Sequence, residues 1–326
     1  MRIKKITGMV LRLALVAACL LYAFWGIDFR RLWDTILQYN DWALLWTALF
    51  SFVGYWAMGL RLSYLSKFQA KTWMCFKAFL MAMAINNIVP AKLGELAKAF
   101  YLRRESSLAL SQTITMVFWE RFFDLNAILA MGMVVAFHFK LKMAFVPLGA
   151  AVGGIWLALW VVRAFPDFVG RIIARMPPGR LQVFLAELKL QILHGVTPGF
   201  MAILAAYTTV CWLLYAASNF FLLLWAANLP LTWGQTAAVF VISSLGMAMP
   251  SSPGALGLFE AAVVFSLGLF GIPRSQGLAA GLVLHMLQYI PVTLSGLLVM
   301  GKSGLSLRQL REGETAMTMP SDEERG

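Results

Sequence analysis

The stretch that decides the fold is residues 195–259, which read GVTPGFMAILAAYTTVCWLLYAASNFFLLLWAANLPLTWGQTAAVFVISSLGMAMPSSPGALGLF. It contains no Asp, Glu, Lys or Arg, and no core helix of a soluble domain runs this far without a charge. About 20 apolar residues cross a bilayer core of about 30 Å, so this run holds more than one membrane element. Residues 275–301 form a second uncharged run. The sequence therefore predicts an all-α polytopic membrane protein.

The composition of the chain agrees with that class and excludes several others. Of its residues, 60% are hydrophobic and 13% are charged, whereas about 25% are charged in a typical soluble domain. The net charge of +12 comes from basic residues in short loops beside apolar runs, which is the positive-inside pattern rather than a nucleic-acid surface. The three cysteines lack paired spacing, so no disulfide framework, metal site or cofactor is expected.

The apolar runs predict nine membrane-embedded segments within a single membrane domain, residues 1–301. These segments are 8–27, 42–62, 72–90, 112–137, 143–162, 199–228, 233–250, 254–271 and 277–301. A short charged helix is expected at 92–105, a basic cytoplasmic segment at 163–198, and a disordered cytoplasmic tail at 302–326. The first half covers about 42–137 and the second about 199–301, linked by span 143–162 and the basic segment.

The two halves share a pattern. Thr72-Trp73, Pro90 and Gly94 recur 160 residues later as Thr232-Trp233, Pro250 and Gly254. Each copy predicts an apolar helix, a Pro/Gly break and a shorter helix. Fourteen residues at 92–105 reach only about 21 Å as a helix, which is too short to cross. We therefore expect two re-entrant helical hairpins rather than four crossings.

Charge placement supports the hairpins and orients them. With both termini cytoplasmic, 21 Lys and Arg residues lie inside and five lie outside, with Arg121 left within a span. If 72–90 crossed the membrane instead, this bias would largely vanish. The two hairpins then enter from opposite sides, which makes an inverted-topology repeat. Interrupted helices at matching places in inverted halves predict a transport site near the midplane.

Three charged residues lie together within the predicted span 112–137. Glu120 and Asp124 are four residues apart and share a helix face, and Arg121 can reach Asp124 at a separation of three. One such charge at a helix centre costs about 2.5–3.5 kcal/mol. The group is therefore a structural ion pair that locks this helix to the first hairpin, part of a substrate path, or a set of residues near the membrane interface.

Glu260 is the most isolated charge, one helical turn beyond the second break. It either takes a proton, meets a cationic ligand, or pairs with Arg121 or a lysine of the first hairpin. Glu95 is its counterpart in the first hairpin. His285 on the final span is a packing residue or a proton relay, and Asn87, with its neighbour Asn86, satisfies backbone freed at the first break or contacts a head group.

Three motifs together resemble the integral-membrane domain of the lysyl-phosphatidylglycerol synthase/flippase family, including its stand-alone bacterial members. They are Pro90…Gly94-Glu95 with Lys92 and Lys98, Glu120-Arg121-x-x-Asp124, and Pro253-Gly254-x-x-Gly257-x-x-Glu260. Lysine stands at 92 and 98 where the family often has arginine, which weakens a bidentate grip on phosphate. No aminoacyl-transferase domain follows the last span, so the resemblance implies lipid translocation rather than lipid aminoacylation.

The sequence thus leads to an expected function: a flippase-like lipid translocase of the bacterial inner membrane, not an enzyme, without cofactor or metal. Its partners would be a membrane lipid substrate and a lipid-modifying synthase, with no nucleic acid. The alternatives are a membrane enzyme or synthase partner in lipid or cell-envelope glycan biosynthesis, and a secondary transporter of a soluble solute. The expected translocation residues are Asn87, Pro90, Lys92, Gly94, Glu95, Lys98, Glu120, Arg121, Asp124, Pro253, Gly254, Gly257 and Glu260, with His285 as the proton relay.

Overall fold

The computed structural model describes residues 14–89, 93–106, 108–177, 179–194, 197–248 and 253–303, and the regular structure in those ranges is helical. The α-helices are α1 (Ala14–Phe24), α2 (Phe29–Leu37), α3 (Asp41–Leu65), α4 (Thr72–Ile88), α5 (Gly94–Glu105), α6 (Leu110–His138), α7 (Lys142–Ala164), α8 (Pro166–Ala174), α9 (Arg180–His194), α10 (Pro198–Phe220), α11 (Trp233–Ala248), α12 (Leu258–Gly268) and α13 (Arg274–Ser303). A π-helical turn, Phe221–Ala226, continues α10, and a 3-10 turn, Pro253–Ala255, precedes α12.

Five helices in the described part of the chain are long and apolar enough to cross a membrane. They are α3, α6, α7, α10 with its π turn, and α13. The predicted class, an all-helical polytopic membrane protein, is confirmed. The described parts of all nine predicted segments contain helix, and α5 confirms the short helix expected at 92–105.

The elements of the two predicted hairpins are shorter than these crossing helices. Helices α4 and α5 have 17 and 12 residues, and α11 and α12 have 16 and 11. At 1.5 Å per residue their lengths lie between about 17 and 26 Å, below the bilayer core of about 30 Å.

One predicted boundary is wrong. The span expected from residue 254 begins as an α-helix only at Leu258. Gly254 and Gly257 have φ angles of 62° and 83°, and Ala255 between them has 57°. These left-handed angles cannot continue a right-handed helix, and glycine is the residue that adopts them without strain. The second break therefore extends further along the chain than the apolar pattern indicates.

Three amphipathic helices, α2, α8 and α9, lie where the sequence predicts only loops or a polar connection. Asp28 caps α2 by accepting hydrogen bonds from the backbone N–H groups of Arg30 and Arg31. Leu32 is buried while Trp33 on the next position is exposed. Such helices are missed by a search for long apolar runs because their apolar residues recur every three or four positions. An exposed apolar face of this kind suits the membrane interface.

The first and second halves pack closely against each other along α3 and α10. The hydroxyl oxygens of Ser51 and Ser218 lie 2.8 Å apart. Gly54 on α3 faces the ring of Tyr215, close enough for a methyl group there to make van der Waals contact with the ring. Small and hydroxyl residues at a helix–helix contact allow this close approach within a membrane.

Exposed tryptophans lie near several helix ends. Trp25, Trp42, Trp73 and Trp233 are all exposed. Trp233 stacks on Phe220 at 5.2 Å between ring centroids. Indole rings exposed at helix ends fit the aromatic belt of a membrane protein.

Candidate functional site

The main polar feature inside the helices is a closed ring of six charged side chains, referred to below as the charge ring. Helix α3 contributes one cation, α5 contributes an acid and a cation one turn apart, and α6 contributes two acids and a cation. Positive and negative charges alternate around it, and its members are Arg61, Glu120, Lys98, Glu95, Arg121 and Asp124.

Arg61 binds both acids of α6. Its Nη1 donates to Oδ1 of Asp124 at 2.5 Å and its Nη2 donates to Oδ2 at 3.2 Å. This bidentate geometry is the strongest arrangement between a guanidinium and a carboxylate. Nη2 also donates to Oε1 of Glu120 at 3.4 Å. Glu120 and Asp124 share a helix face, as predicted, and Arg61 bridges them.

The other side of the charge ring joins α5 to α6. Nζ of Lys98 lies 2.5 Å from Oε2 of Glu120 and 2.7 Å from Oε2 of Glu95. Arg121 contacts Oε1 of Glu95 at 2.6 Å and Oδ2 of Asp124 at 3.7 Å, which closes the ring. The predicted contact between Arg121 and Asp124 is present.

Burial is unequal around the charge ring. The side chains of Arg61, Lys98 and Glu120 are almost fully buried, whereas that of Arg121 is 58% exposed. Three cations and three carboxylates give no net charge, so each buried ion has a partner of opposite sign. An unpaired ion buried among these helices would cost several kcal/mol of desolvation free energy. Arg121 is the accessible cation of the group.

The second half of the chain also touches the charge ring. On α10, the indole N–H of Trp212 donates to Oδ1 of Asp124 at 3.2 Å, and the hydroxyl oxygen of Thr208 accepts from Nη1 of Arg61 at 3.3 Å. The charge ring therefore ties α3, α5, α6 and α10 together.

Arg61 is the member that the sequence analysis missed, because it falls at the cytoplasmic end of a predicted span and resembles a flanking residue. The residue pattern offers no signal for it, because a single arginine at the end of a predicted span is the usual positive-inside flank.

The first break is held by side chains of α4. Oδ1 of Asn86 accepts the backbone N–H of Gly94 at 2.8 Å, which confirms that an asparagine satisfies freed backbone there. A Cβ atom at Gly94 would overlap the carbonyl oxygen of Ala82, so only glycine lets α5 approach α4 this closely. Pro90 and Lys92, both predicted site residues, lie outside the described residues.

The second break is tied to α13 through one histidine. Nδ1 of His285 lies 2.5 Å from Oε1 of Glu260, and its Nε2 lies 3.0 Å from the carbonyl oxygen of Gly254. The other carboxylate oxygen of Glu260 accepts the backbone N–H of Gly257 at 2.8 Å. Both side chains are buried. Pro253 begins the 3-10 turn that presents the Gly254 carbonyl.

Tyr289 lies one turn beyond His285 and touches both breaks. Its hydroxyl donates to the carbonyl oxygen of Asn87 at 2.9 Å, and its ring occupies the space next to Gly254. The side-chain amide of Asn87 donates to the hydroxyl of Thr293 at 2.7 Å. The residues flanking the two breaks therefore meet on one face of α13.

The structure divides the predicted site into two clusters. Pairing of Glu260 with Arg121 or Lys98 is wrong, because His285 contacts its carboxylate and the two cations contact carboxylates of the charge ring. Lys92, another lysine of the first hairpin, lies outside the described residues. Lys98 is buried between two carboxylates, so in this conformation it does not face a head group. Among the described residues no three His, Cys, Asp or Glu side chains are grouped as metal ligands would be.

A helical bundle with several membrane-length helices and a buried, fully paired charge ring defines a multi-pass membrane protein with a polar interior. The chain belongs to the family described as the lysylphosphatidylglycerol synthase TM region, whose model matches residues 9–296. It is also 25% identical over 217 residues to a UPF0104 membrane protein of Methanocaldococcus jannaschii, a match that covers 66% of this chain and 92% of the relative.

Proposed function

We propose that the protein is a lipid translocase, which moves a phospholipid or another polar-headed lipid between the leaflets of the bacterial inner membrane. The observation that carries this proposal is the charge ring, which is buried at Arg61, Lys98 and Glu120 but exposed at Arg121. Membership in a family named for a lipid synthase's membrane region supports a lipid-related role.

The charge ring can open at Arg121 without leaving another buried ion unpaired. If Arg121 turns outward, Glu95 keeps Lys98 and Asp124 keeps Arg61. The released guanidinium can then bind the phosphate of a lipid head group with two parallel hydrogen bonds. The head group would exchange water for this polar surface while the acyl chains stay in lipid, which lowers the barrier to crossing.

The proposed architecture is an inverted-topology repeat with two re-entrant hairpins, and the lengths of the helices support it. Helices α4 and α11 have 17 and 16 residues, α5 and α12 have 12 and 11, and α6 and α13 have 29 and 30. The packing is also reciprocal: α4 packs on α13 of the other half, and α11 packs on α6.

The polar contacts repeat in the same way. Glu95 in the first turn of α5 pairs with Arg121, 26 residues later on α6. Glu260 in the first turn of α12 pairs with His285, 25 residues later on α13. Each hairpin therefore has its short helix joined to the next long helix through a carboxylate and a basic side chain.

The proposed orientation places both termini in the cytoplasm, because 21 Lys and Arg then lie inside and five outside. We further propose that the chain acts as a translocase rather than an aminoacyltransferase, and that a lipid-modifying synthase supplies its substrate.

Reconstitution into liposomes tests the proposal through Arg121. Arg121→Gln should lower the rate at which a fluorescent anionic phospholipid changes leaflet by at least tenfold, because glutamine cannot form the charged bidentate contact. Arg103→Gln is the matched control, since Arg103 is an exposed arginine in the last turn of α5. Equal transfer by both variants would contradict the role of Arg121, and no transfer by the wild type would contradict the function.

A further inference from the structure

The hydrogen bonds of His285 fix the number of protons at the second break. The carbonyl oxygen of Gly254 can only accept, so Nε2 of His285, 3.0 Å away, carries a hydrogen. Nδ1 lies 2.5 Å from Oε1 of Glu260, where two bare lone pairs would repel each other. A second hydrogen must therefore lie between Nδ1 and Oε1. Glu260 and His285 together therefore hold two hydrogens at these positions, one more than a carboxylate beside a neutral imidazole would hold.

The pair is enclosed by groups that cannot take over this proton. Oε2 of Glu260 is occupied by the N–H of Gly257, and the rings of Phe259 and Tyr289 pack against His285 at 5.0 and 5.4 Å. The π turn and α11 carry no titratable side chain. The titratable side chains on the other elements around the pair are Cys19 and Tyr22 on α1, Arg30, Arg31 and Asp34 on α2, Asp41, Tyr55, Arg61 and Tyr64 on α3, Cys75 and Lys77 on α4, and Arg274, Tyr289 and Lys302 on α13.

The described members of that set that lie nearest have other partners. The hydroxyl of Tyr289 donates to the carbonyl oxygen of Asn87, and that of Tyr55 donates to the carbonyl oxygen of Gln288. Arg274 packs over the ring of Tyr22. Among the described residues, which do not include Lys92, Glu260 and His285 therefore form a proton-binding unit by themselves.

We propose that Glu260 and His285 bind one proton as a unit, that this proton holds the second break on α13, and that it is the coupling ion of translocation. The proton-binding part stands on the geometry alone, whereas the coupling part rests on the proposed lipid translocase. The ligand is H⁺ itself, taken from water and returned to water.

Loss of the proton must break one of the two contacts of His285. If the remaining hydrogen stays on Nε2, the lone pairs of Nδ1 and Oε1 face each other across 2.5 Å. If it moves to Nδ1, the lone pair of Nε2 faces the carbonyl oxygen of Gly254. Either outcome leaves His285 with one of its two contacts and so loosens the second break on α13. Rebinding of a proton from water restores both contacts.

Glu260→Gln should imitate the protonated state. The glutamine oxygen can accept from the Gly257 N–H while its amide donates to Nδ1, so His285 stays neutral with a hydrogen on Nε2. The variant should fold normally and remain closed at every pH.

Nitrogen NMR on protein labelled with ¹⁵N-histidine tests the proton site without any transport assay. The chain has three histidines, and the His285 signals are assigned as those lost in His285→Gln. At low pH we expect Nε2 of His285 to carry a hydrogen-bonded proton, with titration at Nδ1 that disappears in Glu260→Gln. A neutral His285 with its hydrogen on Nδ1 and a bare Nε2 at low pH would overturn the proposal.

Transfer of the fluorescent phospholipid at several pH values tests the coupling. In the wild type the rate should rise as pH increases, by about tenfold per pH unit below the transition, and then become constant above it, as release of one proton requires. Glu260→Gln should be slow and independent of pH, and the control His138→Gln should follow the wild type. Identical pH profiles in wild type and Glu260→Gln would overturn the coupling while leaving translocation itself intact. A wild type that transfers no lipid would overturn the proposed function, and the NMR result would still decide the proton site.

Discussion

Replacing Arg61 with methionine removes the central cation of the charge ring while keeping most of the side-chain volume. Arg61 is almost fully buried and binds Asp124, Glu120 and the hydroxyl of Thr208. Loss of one partner from a buried ion pair costs about 3–5 kcal/mol. Glu120 keeps Lys98 and Asp124 keeps Trp212, so we expect the lower end, about 3 kcal/mol.

Thermal unfolding of the purified protein in detergent measures this cost. A loss of about 3 kcal/mol corresponds to a decrease in Tm on the order of 5 °C for a chain of this size. The double variant Arg61→Met/Asp124→Asn removes one charge of each sign and should recover more than half of the decrease. Arg31→Met is the control, because Arg31 forms an exposed pair with Asp28, and such pairs contribute less than about 1 kcal/mol. If Arg61→Met has the same Tm as Arg31→Met, the charge ring does not stabilise the bundle.

Three further outcomes follow from the same geometry. Gly94→Ala should lower the free energy of unfolding by about 1–3 kcal/mol, because its Cβ would overlap the carbonyl oxygen of Ala82. Gly153→Ala is the control and should not lower it, because Gly153 faces open space. Equal Tm values for the two variants would contradict the close approach of α4 and α5. Single cysteines can be placed at the exposed positions Phe68 and Arg104 in a protein whose own cysteines are replaced. Both should react with an impermeant maleimide added on the same, cytoplasmic face. Labelling from opposite faces would rule out the first re-entrant hairpin. Tyr289→Phe should cost about 1 kcal/mol in an unfolding experiment, because the carbonyl of Asn87 loses its donor, and an unchanged Tm would show that this contact is not formed in the membrane protein.

Long charge-free runs made the membrane class and the main helices predictable, because their length relates directly to bilayer thickness. The same runs concealed where helices end. Ala255 has a left-handed φ angle of 57°, and nothing in an apolar pattern distinguishes it from a helical alanine. The amphipathic helix α2 escaped detection for a related reason, since its apolar residues recur every three or four positions instead of forming a run.

The sequence predicts most of the residues of the site, but not which of them pair with each other. Glu120, Arg121 and Asp124 were found because buried charges are rare enough in a membrane span to be conspicuous. Their partner Arg61 lies 59 residues before Glu120, and which helix faces α6 depends on packing that no local pattern encodes. The pairing of Glu260 with His285 was missed because both residues stand alone in apolar sequence and each had another explanation.

The central claim, that this protein moves lipid between leaflets, is tested most directly with liposomes that contain a fluorescent phospholipid in both leaflets. An impermeant reductant bleaches the outer leaflet, and a translocase makes the inner-leaflet fluorescence accessible as well. The measurement should be made with and without a pH gradient of either sign. We expect bleaching beyond the outer-leaflet fraction in vesicles that contain the wild-type protein, with a rate that falls in Arg121→Gln. Bleaching that stops at the outer-leaflet fraction under every gradient would show that the protein does not move this lipid.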